Sequence, residues 1–403
     1  MKYLVFLVDG AADYKIKSLG NKTPLQVANK PNIDFLAAHG EVGMVNTIPA
    51  GMPAGSDVAN LSVMGYDPAR YHTGRSPLEA VSMGVELQSS DVTFRCNLVN
   101  LSGGPSYSQR VMVDHSAGEI TTGEAREIIR SVAKKLSTES IRFYPGMSYR
   151  HIMVWQNGPD NFRLTPPHDI LGKKISSYLP KGENASILKD LMHESIEILE
   201  GHPVNKKRKQ QGLREANSIW IWGQGRLPRL EPFYEKFGIH GSVISAVDLI
   251  KGIGICAGLK PIDVEGATGN INTNFSGKAE AAMEGLKKTD FLYLHVEAPD
   301  ECSHQGDIGC KIKAIEIIDR EIIGPVFRFL KNLGQDFKIM VLPDHPTPIS
   351  ARTHSRDPVP FLIYSGGDIK DSPANVFDEF YPQKNGKIVE KGYTLLNYFL
   401  AGS

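Results

Sequence analysis

The chain has 403 residues, and lysine plus arginine equal aspartate plus glutamate at 45 each, so the formal charge is zero. That balance excludes a general nucleic-acid coating role, which needs a basic excess, and an apolar fraction of 41% excludes wholesale disorder. No apolar run approaches the roughly 20 residues of a membrane helix, and the length suits two domains or one large domain with an insertion.

The first predicted element is Tyr3–Val8. It has the apolar character of a signal core, but it stops at Asp9-Gly10 without a cleavage site and reads as a buried strand. Pro53-Ala54-Gly55-Ser56 then opens an apolar periodic segment that runs to Gly65. Ser56 is therefore expected at a helix N-terminus, where a plain capping serine and a nucleophile are both natural. Ala125, Ile128, Ile129, Val132, Ala133 and Leu136 keep helical spacing after a start at Thr121-Thr122-Gly123-Glu124. From about residue 90 to 240 the strand patterns are scattered, as in Arg150–Trp155 and Ser218–Gly223, which suggests an inserted second domain. The basic run Lys206–Lys209 in this stretch reads as a solvated linker or loop. Three more short apolar runs follow: Phe291–Val296 before Glu297, Ile339–Leu342 before Asp344-His345, and Phe361–Tyr364 before Ser365-Gly366-Gly367. Such runs read as buried strands of a parallel sheet. Ile312, Ile315, Ile318 and Ile322 mark a helix between them. The class is α/β, and ligands in such sheets gather at the carboxyl ends of strands, where Asp9 and Asp344-His345 stand. The four cysteines, Cys96, Cys256, Cys302 and Cys310, form no CxxC pair and suit a reduced, cytoplasmic protein better than a disulfide framework.

The last third carries Asp300-x-x-x-His304, Asp344-His345 and His354. A spacing of four puts Asp300 and His304 on one face of a helical turn, where both reach one ion. Adjacent residues leaving a strand, such as Asp344 and His345, point in different directions, which suits ligands held between two ions. Mixed carboxylate and imidazole donors suit Mn²⁺ or Zn²⁺, and carboxylate-rich sites take Mg²⁺. Each piece alone has an ordinary structural explanation. Their order along the chain, each beside a strand, makes a metal site the specific expectation. A cation on the Ser56 oxygen would favour its alkoxide at neutral pH.

The motifs Leu7-Val8-Asp9-Gly10-Ala11-Ala12-Asp13, Lys22-Thr23-Pro24-Leu25, Ala28-Asn29-Lys30-Pro31-Asn32-Ile33-Asp34, Gly55-Ser56-Asp57-Val58-Ala59-Asn60, Gly65-Tyr66-Asp67-Pro68, Thr73-Gly74-Arg75-Ser76-Pro77-Leu78-Glu79-Ala80 and Thr353-His354-Ser355-Arg356-Asp357-Pro358 carry a family resemblance over essentially the whole chain. The chain resembles the cofactor-independent phosphoglycerate mutases, in their shorter archaeal-type branch of the alkaline phosphatase superfamily. The resemblance implies an alkaline-phosphatase-like, mostly parallel sheet flanked by helices (residues 1–87 and 241–403), with a smaller α/β lid domain inserted at 88–240. It implies two divalent ions, with Mn²⁺ expected and Zn²⁺, Mg²⁺ or Co²⁺ as alternatives. Asp9, Ser56, Asp344 and His345 would serve one ion, and Asp300, His304 and His354 the other. Ser56 would take the phosphoryl group of 3-phosphoglycerate and return it to the other hydroxyl of a trapped glycerate, giving 2-phosphoglycerate without a bisphosphoglycerate primer. The lid would exclude water and supply cations for phosphate and carboxylate. Arg75, Arg150 and Lys251 follow the family pattern, His115 resembles an element facing substrate, and Arg214 and Arg226 are further candidates. His151 and His168 fit either a substrate-facing or a structural place. Expected partners are a phosphorylated small molecule, no nucleic acid and no membrane; the oligomeric state is left open. Two rival activities share the motifs. One is a homoserine-kinase-like transfer, although no P-loop or kinase glycine loop is present. The other is a metal-dependent phosphatase. A non-enzymatic binding protein is the third class.

Overall fold

A computed structural model describes residues 1–366 and 374–401. Gly367, expected in the turn after Tyr364, lies outside the described residues. The strands in chain order are β1 (Lys2–Val8), β2 (Glu41–Val45), β3 (Val92–Leu101), β4 (Met112–Asp114), β5 (Ile141–Tyr144), β6 (Arg150–Trp155), β7 (Ser218–Arg226), β8 (Gly241–Ile244), β9 (Lys260–Pro261), β10 (Phe291–Val296), β11 (Phe337–Leu342), β12 (Val359–Ser365) and β13 (Lys387–Val389). The chain divides into two compact units, Met1–His72 with Leu230–Ser403, and Thr73–Arg229.

The first unit is built on an eight-stranded sheet of order β13-β2-β12-β11-β1-β10-β8-β9. From β11 to β9 every neighbouring pair is parallel, and β12 is antiparallel to both β11 and β2. The expected mostly parallel sheet is therefore present, but the Phe361–Tyr364 run is its antiparallel member. The chain returns from β11 to β12 through a loop rather than a crossover helix, and a loop of that kind reverses strand direction. Leu4, Phe6 and Val8, Leu292, Leu294 and Val296, and Ile339 and Val341 alternate into one core, shared with the helix Phe275–Lys288 and the helical stretch from Ile308 to Asn332. The intervening Val5, Leu7, Phe291, Tyr293, Met340 and Leu342 are buried as well. Both faces of the central strands are thus covered, which explains why their sequences are continuous apolar runs rather than alternating ones. β1 lies between β10 and β11, with Val8 opposite Val296 and Leu7 opposite Leu342. That register brings the residues after three strands side by side: Asp9, Glu297 and Asp344.

The second unit is an antiparallel sheet of order β4-β3-β6-β5, with β7 also paired to β3. Its core includes Ile128, Ile129 and Val132 of the helix Thr122–Leu136 and Leu188 and Met192 of the helix Ala185–Glu200. Thr121 and Glu124 close a reciprocal capping box at the start of the first of these helices. The bounds of this unit fall earlier than 88 and 240 at both crossings. The reason at the first crossing is local: Ser76 Oγ donates to Thr93 O at 3.0 Å and Glu79 pairs with Arg95, fastening the helix Ser76–Ser82 to β3. The basic run Lys206–Lys209 is a correction, because it lies in a helix, Pro203–Gln210, and not in a loop. Arg208 is buried there. Its guanidinium donates to Glu124 at 2.8 Å, to Ala117 O at 2.8 Å and to Arg214 O at 2.8 Å, so the charge run contains a structural residue.

Cysteine usage also departs from expectation. Cys302 and Cys310, expected to be reduced, are joined as a disulfide, and Cys96 and Cys256 are free. The helix Ala298–Gln305 turns back at Gly306, whose φ of 74° lies in the left-handed region, and this turn brings positions 302 and 310 together. No helix among the described residues is long and apolar enough to cross a membrane.

Glu379 offers a pH test of the first unit. Its buried carboxyl accepts from Asp13 N at 3.1 Å and from Thr23 Oγ1 at 2.7 Å, and burial pushes its pKa up to about 7 from 4.5. The fold therefore prefers the protonated form. The contribution is complete below the ordinary value and is lost as pH rises through about 7. We expect Glu379→Gln to show a smaller loss of denaturant stability than the parent chain between about pH 5 and pH 8. Parallel pH profiles for the two proteins would contradict this.

Candidate active site

Asp9 follows β1 directly, and Gly10 makes room for what faces it. Gly10 has φ +65°, and a Cβ there would lie 2.7 Å from Asp300 Oδ1. The backbone of β1 and the Asp300 carboxylate can approach this closely only at a glycine. Asp300 and His304 lie on the helix Ala298–Gln305, with His304 Nε2 3.1 Å from Asp300 Oδ2. His354 comes from the loop before β12, with Nε2 3.4 Å from Asp300 Oδ1 and 3.0 Å from His304 Nε2. Asp344 and His345 stand just beyond β11. Contrary to the expectation that they diverge, His345 Nε2 is 3.3 Å from Asp344 Oδ2. The strand ends at Leu342, so the strict alternation of side chains no longer applies to them. Ser56 is the first residue of the helix Ser56–Val63, with Gly55 in the capping position. Its Oγ lies 3.1 Å from His345 Nε2.

The seven residues converge in two groups of donor atoms: Asp9 with Asp344 and His345, beside Ser56, and Asp300 with His304 and His354. Glu297, the residue after β10, adds a third overlapping group with Asp9 and Asp300. Backbone carbonyls orient two of the imidazoles. His304 Nδ1 is 3.0 Å from Arg352 O and His354 Nδ1 is 3.2 Å from Ala54 O. An Nδ1–H donating to a carbonyl leaves Nε2 facing the cluster, where it would offer a cation its lone pair in place of the proton it shares with Asp300.

Electrostatics supports a cation. Burial, then the neighbouring Asp344 and Asp300 charges, raises the pKa of Asp9 well above the ordinary carboxylate range. Burial and the charge of Asp300 raise Glu297 to about 8. Asp300 goes the other way: burial opposes its charge, but hydrogen bonds from His304 and His354 prevail and hold it well below the usual value. His304 is raised to about 9 by its bond to Asp300. Asp9 Oδ1 is buried with no hydrogen-bond partner. A buried carboxylate oxygen without a donor is costly. A divalent cation is the partner that satisfies it and offsets the crowding of like charges. The donor set therefore fits divalent metal.

In the second unit, cationic and aromatic residues cluster separately. Arg150 lies over the Tyr149 ring and donates to its hydroxyl at 3.0 Å. The Tyr149 and His115 rings are 5.6 Å apart, His115 and His168 are 6.0 Å apart, and His168 is 5.4 Å from Trp222. Arg95 lies over Trp222 and pairs with Glu79. Burial lowers the pKa of His168, and the charges of His115, Arg95 and Arg75 push it the same way. Arg75, His115, Arg150 and His168 thus share one region. Arg214 pairs with Asp114, the residue before His115. Arg226 stands apart, donating to Asp160 at 2.5 Å, Ser90 O at 2.6 Å and Gly158 O at 2.9 Å. His151 is buried in β6, where its Nδ1 accepts from Gly146 N at 3.0 Å. Lys251 belongs to the first unit, on the helix Asp248–Cys256, and pairs with Asp263 at 2.7 Å.

Residues 37–205 match the family model of 2,3-bisphosphoglycerate-independent phosphoglycerate mutase. A protein of Geobacter sulfurreducens named probable 2,3-bisphosphoglycerate-independent phosphoglycerate mutase is 50% identical over 99% of this chain and 100% of its own length. A Methanothrix thermoacetophila protein of that name without the qualifier is also 50% identical, over 100% of both chains. The chain belongs to the 2,3-bisphosphoglycerate-independent phosphoglycerate mutases. Solved structures agree on the fold of this mutase-family chain. A Pyrococcus horikoshii protein superposes with a TM-score of 0.84 at 30% identity, covering 100% of this chain and 98% of the other. The cofactor-independent phosphoglycerate mutase of Thermoplasma acidophilum gives 0.68 at 26% identity, with 99% of each chain covered.

Several residues around the cluster escaped sequence reading. Thr347 donates to Asp300 at 2.5 Å, and Thr47 donates to Asp344 O at 2.5 Å. Asn60 donates to Asp344 and His295 lies against Asp9, while the Tyr293 hydroxyl donates to the Asn60 amide oxygen. The one available signal was composition: a tyrosine and a histidine inside the otherwise apolar run Phe291–Val296. In the second unit, Arg95, Tyr149 and Trp222 carried no motif of their own.

Proposed function

We propose that this chain interconverts 3-phosphoglycerate and 2-phosphoglycerate through a phosphoserine at Ser56, without 2,3-bisphosphoglycerate. The observation that carries the mechanism is the convergence of six carboxylate and imidazole side chains, with His345 Nε2 3.1 Å from the Ser56 hydroxyl. Asp9, Ser56, Asp344 and His345 would hold one divalent ion and Asp300, His304 and His354 a second, with Mn²⁺ favoured by the mixed donors and Zn²⁺, Mg²⁺ or Co²⁺ as alternatives. When bound, such ions supply the positive charge that favours the serine alkoxide and offsets charge on the phosphoryl oxygens.

Ser56 Oγ attacks phosphorus, the bond from phosphorus to the 3-oxygen of the substrate breaks, and the serine proton passes to the departing 3-oxygen. Glycerate and phosphoserine result. The 2-hydroxyl of the retained glycerate then attacks the same phosphorus, the bond from phosphorus to Ser56 Oγ breaks, and the 2-hydroxyl proton returns to Oγ, regenerating Ser56. The helix Ser56–Val63 begins at the nucleophile, so its unpaired N-terminal amides favour the anionic phosphoryl group there. Burial lowers the pKa of His345, which favours the neutral ring that can present a lone pair. Arg75, His115 and Arg150 of the second unit are proposed to bind the phosphate and carboxylate of the substrate, which arginine forks match, and Lys251 is proposed to assist from the first unit. Arg214 and Arg226 are weaker candidates, because ion pairs within the second unit already engage both. The second unit is proposed to act as a lid that keeps water, the competing acceptor, from the phosphoserine.

The test is a phosphorus NMR time course on 3-phosphoglycerate with Mn²⁺ and no bisphosphoglycerate, with a parallel sample in EDTA. The expected result is growth of the 2-phosphoglycerate resonance without free phosphate, abolished by EDTA. Inorganic phosphate as the only product would replace this reading with a phosphatase. Undiminished conversion after exhaustive chelation would remove the metal from it.

A further inference from the structure

β10 is wholly buried at the centre of the first unit, yet two of its alternate residues, Tyr293 and His295, carry polar groups on one face of the sheet. Apolar residues at both places would serve the core equally, and burying a hydroxyl or an imidazole is costly unless it is hydrogen-bonded. Both are bonded, and both bonds lead to the cluster. Tyr293 Oη donates to Asn60 Oδ1 at 2.6 Å. The Asn60 amide nitrogen then donates to Asp344 Oδ2 at 3.0 Å and to the carbonyl of Ser56 at 2.9 Å. His295 Nε2 is 2.9 Å from Asp9 Oδ2, and its Nδ1 is 3.1 Å from Ser245 Oγ.

The proton positions follow from the chemistry of the partners. A carboxylate only accepts, and a neutral imidazole has one donor and one acceptor. Nε2–H of His295 therefore donates to Asp9, and Nδ1 accepts from the Ser245 hydroxyl. By the same logic the Tyr293 hydroxyl fixes which end of the Asn60 amide faces Asp344.

We propose that Tyr293 and His295 are positioning residues, each holding one carboxylate of the cation site from beneath. His295 turns Asp9 so that its unpartnered Oδ1 faces the cluster. Tyr293 acts through Asn60, which ties Asp344 to the first residue of the nucleophile helix. Both levers sit on one strand, so the register of β10 against β1, with His295 opposite Leu7, sets the two carboxylates together. This inference rests on reading the cluster as a cation site.

The test compares Mn²⁺ affinity by titration calorimetry in the parent chain, His295→Leu, His295→Gln and Tyr293→Phe, with melting of each metal-free protein as the control for folding. His295→Leu is expected to weaken Mn²⁺ binding roughly 10- to 100-fold. His295→Gln keeps an N–H donor and is expected to recover much of that loss. Tyr293→Phe is expected to weaken binding less and to lower kcat more than it raises KM. If His295→Leu does not fold, Ser245→Ala replaces it, since removing the hydroxyl frees the ring to take the wrong tautomer. Parent-like Mn²⁺ affinity in a folded His295→Leu protein overturns the proposal. A parent chain that binds Mn²⁺ but does not interconvert phosphoglycerates overturns the proposed function instead, and the affinity ratio still decides the positioning role.

Discussion

Replacing Ser56 by alanine is expected to lower turnover by about 10⁴-fold or more while the protein stays folded. The side chain is half-buried at the first position of its helix, and Gly55 holds the capping place. Losing the hydroxyl therefore removes no cap and opens no sizeable cavity, so the effect on stability is expected to be small. The effect on chemistry is complete, because in the proposed route every transferred phosphoryl group passes through this oxygen. Four of the seven metal-type residues, Asp9, Asp300, Asp344 and His345, are buried carboxylates and an imidazole, and the other three, His304, His354 and Ser56, lie partly buried at the edge of the same cluster. Mn²⁺ affinity is expected to fall by no more than about tenfold, since the imidazole and carboxylate donors remain. The measurement is steady-state conversion of 3-phosphoglycerate beside calorimetric metal binding. An acid-quenched sample of the parent chain should also yield a phosphorylated peptide containing Ser56. Turnover within tenfold of the parent would sink the covalent route.

The largest stability effect is expected at Lys311, which sits far from any sequence motif yet braces the site. It is fully buried, with Nζ 2.7 Å from Asp13 Oδ2 and donating to Ala12 O at 3.2 Å and Thr347 O at 3.0 Å. These bonds join the loop after β1 to the loop after β11, the two loops that carry Asp9 and His345. Lys311→Met fits the space but strands the Asp13 carboxylate without its counter-charge. Breaking a buried pair in this way costs about 3–5 kcal/mol, a large share of the roughly 5–15 kcal/mol that holds a typical domain together. Denaturant melts in EDTA should show that loss. Adding Asp13→Asn should return part of it, because the stranded charge then disappears. A loss below about 1 kcal/mol would mean that Lys311 is not the brace described.

What was legible in the chain was legible for local reasons. β1, β10 and β11 are short apolar runs bounded by polar residues, and strands buried on both faces have that signature. The helix Thr122–Leu136 announced itself by apolar spacing and by its capping box. Asp300 and His304 could be paired because a spacing of four is a property of any helical turn. The basic run misled because Lys206–Lys209 looks the same whether solvated or, as for Arg208, folded inward onto Glu124 and two carbonyls. Cys302 and Cys310 lacked a recognisable spacing, and their meeting depends on the turn at Gly306. Arg226 and Arg150 are indistinguishable as sequence letters, but the first is spent on Asp160 and two carbonyls, and the second lies over Tyr149.

The sequence by itself determined the α/β class, the buried central strands, the family and the identity of the residues able to ligate a cation, because each is encoded in local periodicity or in a contiguous motif. Only the tertiary structure decided which of those residues meet. The order of β10, β1 and β11, set by long-range pairing across hundreds of residues, places Asp9, Glu297 and Asp344 side by side. It also decided the groups that hold them, Thr347, Asn60, Tyr293, His295 and Lys311. A buried hydrogen bond is written in distances between remote segments, and no single stretch of chain contains both of its ends.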